Sequence, residues 1–143
     1  MNSNSKTTNM KDMQVRLSTL WVFVTLNYLY ADVIALMDPE ILGGLITGNA
    51  KGGIQMTQGL LLGAAIFMEI PIAMVLLSRV LKYRANRWAN IVAGTIKTAA
   101  IFSSMFVGTT PALYYLFFGT IEIACTCLIV WYAWRWPNPE GQP

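Results

Sequence analysis

The sequence predicts an all-α fold: one integral membrane domain of four transmembrane helices, with both termini on the cytoplasmic side. Three observations lead there. Apolar runs at about 17–37, 58–81, 89–107 and 112–134 are each close to the roughly 20 residues that a hydrocarbon core of about 30 Å requires. Charged residues make up 12% of the chain and hydrophobic ones 55%, where a soluble domain is about 25% charged. Basic residues gather at alternate ends of the runs: Lys6, Lys11 and Arg16, then Arg79, Lys82, Arg84 and Arg87, then Arg135, with only Lys51 opposite. Such residues stay cytoplasmic, so the connection 38–57 falls outside. All five tryptophans (Trp21, Trp88, Trp131, Trp134 and Trp136) lie toward the cytoplasmic ends, as an aromatic belt would.

Composition also excludes functions. No histidine is present among the 143 residues, which removes His-ligated haem, the usual zinc sites and Ser-His-Asp triads. No metal and no cofactor are implied. The net charge of +3 is modest and its basic residues form no stripe, so nucleic acid is not an expected partner. Cys125 and Cys127, two apart on a helix, point away from each other and read as small buried apolar residues.

In chain order, MNSNSKTTNMKD is polar and aperiodic and is expected to be a disordered or surface-lying tail. The run that follows is too long for a signal peptide. In it, Ser18, Trp21, Thr25, Tyr28 and Asp32 recur at three and four, which sets them on one helix face, with Asn27 and Tyr30 off that stripe. Asp38, Pro39 and Glu40 end it. The connection to 57 is rich in glycine and carries an apolar patch (Ile41, Leu42, Leu45, Ile46), and is expected to be a structureless mobile cover.

The second run holds Glu69 at its centre, Pro71 two residues later and a Gly59–Gly63 pair that suits close helix approach. Pro71 cannot donate to the carbonyl of Phe67, so a kink is expected beside the carboxylate. KYRANRW (82–88) reads as a short basic connection. The third run is rich in small residues, among them Ala93, Gly94, Ala99, Ala100 and Ser103, and carries Lys97 on a face with Asn90, Gly94 and Ser104. Thr109, Thr110 and Pro111 are expected to form a tight turn. Glu122 in the fourth run shares its face with Tyr115, Gly119, Cys125 and Thr126, and a short Pro-rich tail closes the chain.

Each run therefore carries one ionisable group: Asp32, Glu69, Lys97 and Glu122. Charges at such depth cost a few kcal/mol or more and face protein or water. Glu69 and Glu122 each lie thirteen residues from a boundary residue, Lys82 and Arg135, or about 20 Å of helix. Lys97 lies about 15 Å from Arg87, and Asp32 about 24 Å from Arg16. The expected core is Glu69–Lys97–Glu122, with Asp32 toward the outer loop and Tyr28, Pro71, Ser104, Tyr115 and Thr126 as supporting pocket. Three carboxylates and one ammonium sum to −2 when all are ionised, so the site is expected to hold protons, a bound cation or both. A plain structural reading stands beside this, in which buried pairs only fix which helices are neighbours.

The blocks LSTLWVFVTLNYLYADV, EIPIAMVLLSRVLKYRANRWANI and IEIACTCLIVWYAW resemble an uncharacterised family of small four-span bacterial membrane proteins. The resemblance covers nearly the whole chain. It implies the four-span fold and a bacterial inner membrane, marks Asp32, Glu69, Pro71, Arg79, Asn86, Arg87, Trp88 and Glu122, and carries no activity. In size and span count the chain is also similar to small multidrug carriers, but their first-span glutamate has a different setting from Asp32. The absence of Cys-x-x-Cys excludes the quinone-linked thiol oxidoreductases of four helices.

The function expected from the residues is binding of a proton or small cationic solute by a proton-coupled transporter, its partners being the lipid bilayer and a second copy through the Gly59/Gly63 face. The alternatives are a membrane enzyme or binding protein for a lipophilic small molecule, with Lys97 as stabiliser or Schiff-base amine, and a structural or regulatory subunit.

Overall fold

The computed structural model describes residues 3–50, 54–106 and 112–138, and 85% of the described residues are helical. Five helices and one two-residue β pairing follow in order: α1 (Ser3–Ala35), α2 (Pro39–Ile46), β1 (Asn49–Ala50), β2 (Ile54–Gln55), α3 (Gln58–Val80), α4 (Tyr83–Ser104) and α5 (Leu113–Arg135). The four long helices pack in a ring, with α1 between α3 and α5, α5 against α4, and α4 only lightly against α3. Among the described residues three helices are long and apolar enough to cross a membrane: Thr8–Ala35, Gln58–Val80 and Leu113–Arg135. The fourth long helix, α4, is more polar, and buries Asn86, Asn90 and Lys97 inside the ring.

The N-terminal tail is helical from Ser3, not disordered. No proline or glycine interrupts it, and its continuation is held by tertiary contacts: Met10 and Met13 pack on the core, and Gln14 Nε2 donates to the carbonyl of Leu81 at 3.1 Å. Local polarity is overridden by these contacts. KYRANRW is likewise not a loop. Only Leu81 and Lys82 link α3 to α4, and Tyr83–Trp88 form the first turns of α4.

The connection expected to be structureless has structure of its own. Asp38 caps α2 by accepting from the amide of Glu40 at 3.0 Å, and Pro39 takes the first helical turn, where a missing N–H is harmless. Gly48 turns the chain at φ +78°, and Asn49 then pairs antiparallel with Gln55. Tyr114 donates to Asp38 at 3.3 Å, tying the start of this segment to α5. Lys51 and its glycine neighbours 52–53, the Thr109–Pro111 turn and the end of the Pro-rich tail lie outside the described residues.

The core sits at the end where Leu81, Tyr83 and Trp136 meet. Leu17, Trp21 and Val24 of α1 join Met74, Tyr83, Ala93, Ile129 and Trp136 there. Tyr83 stacks edge-on against Trp136, 5.3 Å between centroids, and donates to its carbonyl at 2.8 Å. A dry polar network stitches three helices beneath it. Asn90 Oδ1 accepts from Trp21 Nε1 (2.7 Å) and Ser78 Oγ (3.2 Å), while its Nδ2 donates to the carbonyl and Oδ1 of Asn86. Asn86 in turn donates to the carbonyl of Ser78 at 2.6 Å. Trp21 and Trp136 are therefore buried, and only Trp88, Trp131 and Trp134 face outward as belt residues do.

Close packing of α4 on α5 depends on two glycines. A Cβ at Gly94 would lie 2.7 Å from Val130 Cγ2 and 3.4 Å from the carbonyl of Thr126, and one at Gly119 would lie 2.6 Å from Met105 Cε. Small residues at these points let the backbones approach, as helix pairs in membranes require.

Candidate functional site

Beyond the polar network, the ring of helices opens into a cavity of about 230 Å³. Tyr28, Ala31 and Asp32 line it from α1, and Phe67 and Met68 from α3; Lys97, Ala100, Ile101 and Ser104 come from α4, and Tyr115, Phe118, Gly119 and Glu122 from α5. Lys97 is fully buried, at 0% exposure. Its ammonium lies 3.9 Å from the centroid of Phe67 and 4.2 Å from that of Tyr28, with Met68 Sδ at 3.9 Å. Among the described residues no carboxylate oxygen comes within 4.0 Å of it. Two aromatic faces and a thioether hold the charge in place of a salt bridge. A desolvated ammonium on such faces gains about 2 kcal/mol or more from the ring quadrupoles.

Glu122 is 5% exposed. Asn27 Nδ2 donates to its Oε1 at 3.2 Å and, at the same distance, to the carbonyl of Phe118, so one amide fixes the carboxyl on α5 to α1. One turn on, Thr126 donates to the carbonyl of Glu122, and Thr98 donates to Thr126 at 2.7 Å. Thr126 thus supports the helix behind Glu122 without lining the cavity. Ser104 gives its only proton to the carbonyl of Ile101, so the bond between Ser104 and Tyr115 runs from the phenol. The hydroxyl of Tyr28 is buried with no hydrogen-bond partner. An unpaired buried hydroxyl costs about 1–3 kcal/mol.

Glu69 does not join this group. It is exposed, whereas its neighbours Phe67 and Met68 reach the cavity. The buried side of α3 is set by Pro71, Met74 and Ser78, and a residue two positions before Pro71 lies about 200° around the helix from it. Glu69 therefore shares the outer stripe with Leu62, Ile66 and Leu76, each more than 60% exposed. The expected Glu69–Lys97–Glu122 core is replaced by Asp32, Lys97 and Glu122. Pro71 is buried in α3 and does not line this cavity. With Glu69 outside, the ionised cavity sums to −1, from two carboxylates and one ammonium.

Asn27 is the residue the sequence reasoning missed, being set aside as off the stripe of Tyr28. Its signal was there: positions 17, 21, 24 and 27–28 follow a spacing of three and four, so Asn27 flanks the buried face. Cys127 is exposed, contrary to the buried role expected of it. It lines a second, apolar groove of about 710 Å³ between α4 and α5, with Thr95, Thr98, Phe102, Val130, Trp131 and Trp134. That groove holds no acid, lysine or arginine.

Fold and cavity together define the class: a helical protein suited to a membrane, with Lys97 and Glu122 enclosed among its helices and Asp32, itself exposed, at the edge of their cavity. A family model described as "Family of unknown function (DUF6326)" matches residues 7–141. The chain belongs to that family. No curated protein and no solved structure matches it.

Proposed function

We propose that this is a four-span protein of the bacterial inner membrane, with both termini cytoplasmic, that binds one proton or one small monovalent cation at Asp32, Lys97 and Glu122 and couples its movement to protons. The observation that carries the reading is a fully buried lysine facing two carboxylates across a cavity, with neither carboxylate within 4.0 Å. A purely structural lysine–carboxylate lock would be closed, because an open one leaves its desolvation uncompensated. Here the groups stand apart around space that several waters of about 30 Å³ each would fill. The excess of one negative charge draws a proton or a monocation into the cavity. The basic residues near the ends joined by Leu81, Tyr83 and Trp136 support cytoplasmic termini.

The lipophilic-substrate alternative would use the α4–α5 groove, but that groove has no acid–base pair to work with. The test is proton flux in proteoliposomes, read by an internal pH dye. Asp32→Asn and Glu122→Gln each abolish coupling on this reading, and unchanged flux in both variants removes it.

A homodimer belongs to the same proposal. Glu69 stands midway along α3 on an outward stripe, and an ionised acid at that depth in lipid costs roughly 2.5–3.5 kcal/mol. A second copy placed against that stripe covers it and sets two carboxyls at equal depth, where they share a proton. The contact then centres on Glu69 and not on Gly59 and Gly63.

A further inference from the structure

The aromatic faces in the cavity are already occupied. Phe67 and Tyr28 both hold the ammonium of Lys97 over their rings, and among the described residues no carboxylate oxygen reaches it within 4.0 Å. Rings in this arrangement favour weakly hydrated, substituted ammonium groups over a strongly hydrated ion such as sodium. We propose that the cavity is a site for a small organic monocation, and that Lys97 is its tethered competitor. The inference rests on the proposed role of this cavity and adds the substrate class and the coupling device.

The charges balance. With Lys97 protonated, the ionised cavity sums to −1. One ammonium ligand takes the place of the Lys97 ammonium between the rings, and Lys97, still within the cavity and now beside a second positive charge, gives its proton to water. The cavity remains at −1, so entry of one cation releases one proton, a one-for-one exchange. The groups that face Lys97 and set this exchange are Tyr28 and Asp32 on α1, Phe67 and Met68 on α3, and Tyr115 and Glu122 on α5. Asp32 and Glu122 attract either cation alike, so the choice between ligand and Lys97 falls to the rings.

The probe is tetramethylammonium, titrated into the detergent-purified full chain in weakly buffered solution with a pH dye, beside sodium at equal ionic strength. The intact protein releases about one proton per tetramethylammonium bound, and none with sodium. Lys97→Met removes the competing charge and the proton source, so it binds tetramethylammonium at least tenfold more tightly with no proton release. Phe67→Leu in the Lys97→Met background, where no tethered ammonium competes for the ring, weakens binding about tenfold, the worth of one ring face. Binding to the intact protein without proton release, or no gain in Lys97→Met, overturns the proposal. If Asp32→Asn and Glu122→Gln still abolish proton flux when that happens, the proton-binding reading stands and only the competitor role falls. If flux is also unaffected, both fall.

Discussion

Asn90 offers the most direct measure of what holds these helices together. Its amide is fully buried and serves four hydrogen bonds, reaching Trp21 on α1, Ser78 on α3 and Asn86 one turn before it. Asn90→Leu keeps the branched shape and deletes all four. Two of the four run between helices, where such bonds average about 0.6 kcal/mol each, and the two to Asn86 lie within α4; at a similar worth apiece the set comes to roughly 2.4 kcal/mol. The indole N–H of Trp21, left dry and without an acceptor, adds about 1 kcal/mol at the low end of such penalties. The expected loss is therefore about 2–4 kcal/mol. It is read from unfolding in mixed micelles with increasing sodium dodecyl sulfate, followed by circular dichroism and tryptophan fluorescence. Trp21→Phe removes the orphaned donor, so in the Asn90→Leu background it costs less than alone, with a coupling of about 1 kcal/mol or more. A loss under about 0.5 kcal/mol, or strict additivity of the two changes, would refute the network as a stabilising element.

Other expectations are as concrete. Gly94→Val drives a side chain into Val130 and the carbonyl of Thr126, costing about 1–3 kcal/mol in the same assay. Tyr83→Phe loses the bond to Trp136 and about 0.5–1.5 kcal/mol, measured the same way. Glu122→Gln keeps the oxygen that accepts from Asn27, so its unfolding midpoint stays near that of the parent while proton flux in proteoliposomes disappears. For the dimer, disulfide trapping between copies carrying Ile66→Cys persists with Glu69→Gln and is lost with Glu69→Lys, because two ammonium groups at equal depth repel without a shared proton. Equal trapping in both variants argues against the α3 contact.

Hydropathy alone carried the helical class, since runs as long and apolar as those holding Glu69 and Glu122 admit little else. Three of the four groups picked out for sitting deep in apolar runs, Asp32, Lys97 and Glu122, do meet at one cavity. Glu69 did not follow, because depth along a helix says nothing about rotation about it. That rotation is set by what packs, here Pro71, Met74 and Ser78. Asn27 was passed over for a related reason: a stripe drawn through Tyr28 and Asp32 is one residue wide, whereas a helix enclosed by two neighbours buries a broader arc. The helical N-terminus and the early start of α4 were hidden because their polar sequences gain order from distant partners such as Leu81 and Trp134.

The two halves of α3 differ in how firmly they are anchored. From Pro71 onward it buries Pro71, Met74 and Ser78, and Ser78 ties it to Asn86 and Asn90, while from Gln58 to Glu69 it buries no residue at all. Swinging that upper segment aside would break no such tie and uncover almost no hydrophobic interior. Phe67 and Met68 hang from its lower edge, so they would travel with it. The natural doorway into the molecule is thus on the α3 side, with the two residues that confine the lysine serving as its latch.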